Sequence, residues 1–196
     1  MAKTEQRSSD TATAILDIAE RLVQRRGFNG FSYADIAAEM GITKASLHYH
    51  FVGKAELGER LIARYADRFD RTLLDIDEGG GSAAERLRAY CAIYREVLVA
   101  DRMCLCGMLA AEYNTLPDSM RDAVVAFFDR NQEWLTALLE SGQRDQSLRF
   151  AGEPATAARE IVAALEGAML VSRPYDSTDV LDSVVKRVLE EFAGPR

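Results

Sequence analysis

FSYADIAAEMGITKASLHYHFVGK, residues 31–54, decides how this chain is read. Ser32 with Asp35 three residues on forms a capping box, and Ile36, Ala37 and Met40 give the helix that follows an apolar face. Gly41 stops that helix, because glycine enters the left-handed conformation without a Cβ clash, and Thr43 stands ready to cap the next one. Ala37, four residues before Gly41, is small enough for the second helix to cross close by. Two short helices joined by a tight glycine turn make a helix-turn-helix, whose second member fits the major groove of DNA.

Charge sharpens this reading. The 196-residue chain carries a formal charge of −7, yet Thr43 to Lys54 contains no Asp or Glu. The first sixty residues hold eight Lys/Arg and eight Asp/Glu, so the whole excess of acid lies downstream. A near-neutral front end with a local acid-free face suits a small nucleic-acid contact that the rest of the chain does not share.

Within the second helix, Leu47 and Phe51 stand four apart and point into a core. The other faces hold the candidate readers: Lys44, Ser46 and Tyr49 toward the groove, with His48, His50 and Lys54 on backbone phosphates. Ser32 and Thr43 sit at helix N-termini, where anions are favoured, although each serves equally as a plain cap. Tyr49 has the rival role of a core aromatic. His48 and His50 do not form a metal pair, since residues two apart on a helix face nearly opposite ways.

These residues resemble the N-terminal DNA-binding domain of the TetR family of bacterial transcriptional regulators. The resemblance rests on Gly27-Phe28, Ile36-Ala37, Gly41-Ile42-Thr43, Leu47, Tyr49, His50-Phe51 and Lys54, and covers roughly Thr11 to Leu61. His48 departs from it, the family usually having Tyr there. Downstream the resemblance implies an all-helical region that binds ligand and dimerises.

The remaining sequence fits that implication. Four prolines and long segments with apolar residues three and four apart favour an all-α fold. No run approaches the roughly 18 apolar residues of a membrane span, and Met1 to Asp10 has no signal-peptide core, so a cytoplasmic protein is expected. Three cysteines argue against a disulfide framework. Phosphate-loop, nucleophile-elbow and zinc-helix motifs are absent, so neither an enzyme nor a bound cofactor or metal is expected.

A first helix is expected from Ser9 or Thr11 to Arg26, and a long one from Lys54 through Ile76. Gly79-Gly80-Gly81-Ser82 is the clearest punctuation, giving a head at 1–53, a connecting helix at 54–78 and a second domain at 79–196. That second domain should hold helices near 83–100, 103–113, 117–141, 155–172 and 177–192.

In this domain Tyr90, Tyr94, Met103, Cys104, Met108, Phe127, Trp134 and Met169 can line a cavity, with Glu112 or Glu166 as its polar group, although each also suits plain core. Given the resemblance, some of them should meet a small-molecule inducer. Ile161, Leu165 and Ala168 on the penultimate helix, with Leu181, Val184 and Val188 on the last, are the expected dimer face.

The functional expectation is a ligand-responsive repressor that binds a palindromic double-stranded operator as a homodimer, its recognition helices about 34–36 Å apart. Two alternatives stand beside it. One is a thiol switch through Cys104 or Cys106, which Arg102 can activate; the other is a helical ligand-binding protein that no longer binds DNA.

Overall fold

The computed structural model describes residues 2–193. Among them there is no strand. The α-helices are α1 (Ala2–Arg26), α2 (Tyr33–Met40), α3 (Lys44–His50), α4 (Lys54–Glu78), α5 (Ala83–Val99), α6 (Leu105–Ala111), α7 (Asp118–Arg144), α8 (Pro154–Ser172) and α9 (Asp179–Ala193). The first helix starts earlier than its apolar periodicity required, and the others lie close to their expected positions.

The helices gather into two compact units. The first takes the chain up to Asp67 together with Leu105–Val125; the second takes Arg68–Cys104 together with Ala126 onward. This differs from a boundary at Gly79. The glycine run is a turn inside the second unit, where Ser82 caps α5 and its N–H donates to Glu85 Oε2 at 2.8 Å. Residues 105–125 join the head because α6 is apolar on one side, and its Leu105, Cys106 and Leu109 are buried where it packs on α1.

In the first unit, Ile15, Ala19, Leu22 and Val23 of α1 close over Ile36 and Ala37 of α2, Leu47 of α3 and Phe51. Burying these aliphatic and aromatic side chains contributes about 1.5–3 kcal/mol for each large one. The turn after α2 follows from Gly41, which takes φ +66° and ψ +30°, while the N–H of Ile42 reaches back to Ala37 O at 3.1 Å.

In the second unit α5, α8 and α9 pack together, and Phe127 of α7 meets Phe69 of α4 edge to face at 5.1 Å. The core carries Leu87, Tyr90, Tyr94, Leu135, Leu139, Leu165, Met169 and Leu181.

Candidate functional site

The helix-turn-helix is assembled by local hydrogen bonds. The Ser32 N–H and hydroxyl both donate to Asp35 Oδ2 at 2.7 Å, and the Ala34 N–H donates to Ser32 Oγ at 3.2 Å. Those bonds hold the Asp35 carboxyl below the usual carboxylate range. They also commit the only proton of the Ser32 hydroxyl, so Ser32 acts as a cap rather than a phosphate donor. Thr43 Oγ1 accepts the Ser46 N–H at 3.2 Å, which leaves its own proton available.

Leu47 and Phe51 are buried as their spacing requires. Opposite them Lys44, Ala45, His48 and Tyr49 form an exposed face, with Tyr49 80% exposed. A tyrosine so open has no core role here. Ser46 and His50 are half-buried at its edges, and His50 meets the Tyr49 ring edge to face.

His48 is held in one orientation. Its ring lies 4.9 Å from that of Tyr33, and Nδ1 is 3.1 Å from Val52 O. A carbonyl only accepts, so Nδ1 carries a proton and the outward Nε2 donates to a phosphate only in the imidazolium form. Tyr33 in turn donates to Phe51 O at 3.2 Å, bracing the end of α3, and burial raises its phenol to about 12. Nothing in the sequence around Tyr33, at the first turn of α2, marks it for this bracing role.

Lys54 corrects an expectation. Its ammonium donates to Phe28 O and Phe31 O, and lies 4.6 and 4.2 Å from the centres of the Phe28 and Phe31 rings. Burial lowers its pKa, while the negative charges of Glu112 and Asp35 oppose the shift. It ties the turn before α2 and does not face outward to phosphate.

Glu112 is the second correction. It lies just past α6, in the first unit, and its carboxylate accepts the Phe28 N–H at 2.5 Å and the Asn29 N–H at 3.2 Å. Gly27 makes room for it: with φ +81°, any Cβ there would come within 2.7 Å of Glu112 Oε1. Met108 and Cys106 also lie on α6, so they belong with the head and not with the aromatic cluster of the second unit.

That cluster is real. Tyr90 donates to Asn131 Oδ1 at 2.8 Å, the Asn131 amide donates to the Tyr94 oxygen at 3.2 Å, and the two phenols are 3.0 Å apart. Trp134 stacks on Tyr90 at 5.6 Å and donates to Asp77 Oδ2. Burial raises both phenol pKa values.

Glu166 stands near them on α8, its carboxyl pushed up to about 7 by burial and restrained by a hydrogen bond with Cys104. Its Oε1 is buried without a protein donor. A buried carboxyl oxygen without a partner is a rare arrangement, since buried polar atoms are ordinarily hydrogen-bonded.

Met169, Phe127 and Met103 are buried in the same unit. Asn131, buried and central, was missed because an amide in an amphipathic helix carries no signal of its own.

Three features bear on the thiol reading. Cys91, Cys104 and Cys106 are free and buried, burial pushes the Cys91 thiol up to about 12, and Cys104 is hydrogen-bonded with the Glu166 carboxyl rather than with a cation. None of this activates a nucleophile.

The residues expected at a dimer face turn the other way. Ile161, Leu165, Ala168, Leu181 and Val188 are buried inside the second unit, and Val184 is half-buried. The apolar residues α8 leaves open are Ala155, Ala163, Gly167, Leu170 and Val171, the last four at helical spacing along one stripe.

Comparison with known proteins agrees with these two regions. Residues 15–61 match the family described as bacterial regulatory proteins, tetR family, and residues 83–188 match the tetracyclin repressor-like C-terminal domain. The chain belongs to the TetR family. It is 27% identical to the HTH-type transcriptional repressor NemR of Escherichia coli K12, covering 95% of this chain and 96% of that one. It is 25% identical to the HTH-type transcriptional repressor DhaR of a Mycobacterium species, covering 84% and 83%.

Among solved structures, a TetR-family regulator from Agrobacterium tumefaciens matches with a TM-score of 0.91 at 32% identity, covering 95% of this chain and 100% of that one. Reduced E. coli NemR matches with a TM-score of 0.82 at 27% identity, covering 94% and 98%. The chain is a ligand-responsive, DNA-binding transcriptional regulator. Among its described residues, no helix is long and apolar enough to cross a membrane.

Proposed function

We propose that this regulator is a cytoplasmic repressor that binds a near-palindromic operator as a homodimer and leaves it when a small molecule occupies the second unit. The exposed face of α3 carries the reading, because Lys44, His48 and Tyr49 stand clear of a core that Leu47 and Phe51 already fill. Lys44 supplies charge to phosphate, His48 supplies a donor when protonated, and Tyr49 presents a hydroxyl and a ring to base edges. Thr43 offers its remaining hydroxyl proton at the start of the same helix.

Two heads are needed, since one seven-residue recognition helix reads too few base pairs for a specific site. The open stripe on α8 supports pairing. At Gly167 an added Cβ would meet nothing within the chain, so the missing side chain serves no packing inside the monomer. A mid-helix glycine costs about 1 kcal/mol against alanine, and close approach of a second α8 offsets that cost.

Inducer recognition falls to Tyr90, Tyr94, Asn131, Trp134 and Glu166. Coupling follows the chain itself, which passes from Cys104, beside Glu166, directly into α6 and then to Glu112 on the turn before α2. Such coupling amounts to about 1–3 kcal/mol.

Selection from random duplex DNA, followed by binding measured with Tyr49→Ala, tests the reading. Enrichment of a two-fold site and loss of its recognition in the variant support it. Binding that selects no sequence overturns it.

A further inference from the structure

The second unit contains a pocket that the aromatic cluster does not use. The end of α5 and the segment after it (Leu98, Val99, Arg102, Met103) form one side, and the α8–α9 turn (Ser177, Thr178) forms the other, around a cavity of about 340 Å³. That volume lies at the lower end of the range typical of small-molecule sites, about 300–1,000 Å³.

Arg102 distinguishes this cavity. Its Nε is buried with no protein acceptor, and among the described residues no carboxylate pairs with its guanidinium. Arg64 and Arg86 also bury an Nε, yet their outer nitrogens are engaged by Asp17 and Glu20 and by Asp77 and Ser141. Among the described residues, Arg102 is the one of these three whose outer nitrogens are not held by a carboxylate or hydroxyl. A half-buried guanidinium is recognised best by a planar carboxylate, which takes two of its N–H groups at once.

The rest of the wall refines the ligand. Leu98, Val99 and Met103 offer apolar surface beside the cation. Arg173 adds a second positive charge, whereas Asp101 and Asp176 line the same cavity and oppose a second negative one. Both acids sit in turns with left-handed backbone, φ 55° and 47°, a conformation aspartate adopts more readily than most residues other than glycine.

We infer that this pocket is a binding site for a small organic monocarboxylate with an apolar body, its carboxylate paired with Arg102 and its body against Leu98, Val99 and Met103. The inference concerns binding and stands apart from the DNA reading.

Sodium benzoate and its neutral isostere benzamide are the probes, titrated into the full-length protein at constant ionic strength with inorganic phosphate as a third arm. Benzoate is expected to shift backbone amide resonances of 98–103 and 172–178, and to bind about tenfold or more tighter than benzamide or phosphate. Arg102→Gln should abolish that preference, with circular dichroism reporting whether the variant is folded. The wild-type resonance map decides the matter if the variant does not fold. Equal binding of benzoate and benzamide, phosphate binding as tightly as benzoate, or shifts confined to other segments would overturn the inference.

Discussion

Glu112 accepts the backbone N–H of Phe28 at 2.5 Å, across 84 residues of sequence. Because Glu112 follows directly from α6, the turn that leads into α2 is held by a side chain encoded far downstream. Lys54 grips the carbonyls of the same turn from within the head. The N–H groups and carbonyls of residues 28–31 are thus satisfied by opposite charges, and the entry angle of α2 depends on both.

Replacing Glu112 with Ala should strip that turn of its acceptor. Leaving the Phe28 and Asn29 N–H groups without it costs about 1–3 kcal/mol, expected as a lower Tm and weaker operator binding. Differential scanning calorimetry and fluorescence anisotropy measure the two effects. An unchanged Tm would show that the clamp adds nothing.

Glu166 makes stability pH-dependent. Its folded pKa, about 7, lies above the unmodified 4.5, so the folded chain binds the proton more tightly than the unfolded chain. The stabilisation is full below the lower value and is lost as pH rises through the upper one. Wild type should therefore lose stability relative to Glu166→Gln between about pH 4.5 and 7, by an amount on the order of 1–3 kcal/mol. Thermal melts of both proteins across that window check this, and parallel curves would contradict it.

Leu170→Glu should separate the protomers. The residue is 58% exposed within the monomer, so the change leaves the core of the second unit intact while placing a charge on the open stripe. Analytical ultracentrifugation is expected to show monomer with unchanged helicity. Ile161→Glu, by contrast, should unfold the unit, since Ile161 faces its interior.

Lys44→Ala should weaken binding to all DNA sequences alike and lower the slope of log affinity against log salt by about one. Lys54→Ala is expected to leave that slope unchanged and to lower Tm instead, because its ammonium is spent on Phe28 and Phe31. A reduced slope in the Lys54 variant would return that residue to the phosphates.

The contrast between these two lysines shows what the sequence could disclose. Leu47 and Phe51 were legible as core because helical spacing alone decides which side of α3 they occupy, and Gly41 announced the turn because glycine takes the left-handed φ found there without a Cβ clash. Lys54 was not. A lysine at a helix start reads the same whether it meets phosphate or carbonyls 23 and 26 residues upstream.

Glu112 misled for a similar reason, since its partners belong to another part of the chain. On α8, apolar residues line both sides, so periodicity could not separate Ile161 and Leu165, which face inward, from Leu170 and Val171, which do not. The pocket at Arg102 was invisible, because it forms only where two turns distant in sequence meet.

The most direct test is footprinting of the selected operator with wild-type protein and with a Lys44→Ala/Tyr49→Ala double variant at matched Tm. Two protected half-sites about one helical turn apart, lost in the variant, are the result expected. A single asymmetric footprint, or protection that survives the double substitution, would contradict the assignment of the α3 face as the reader.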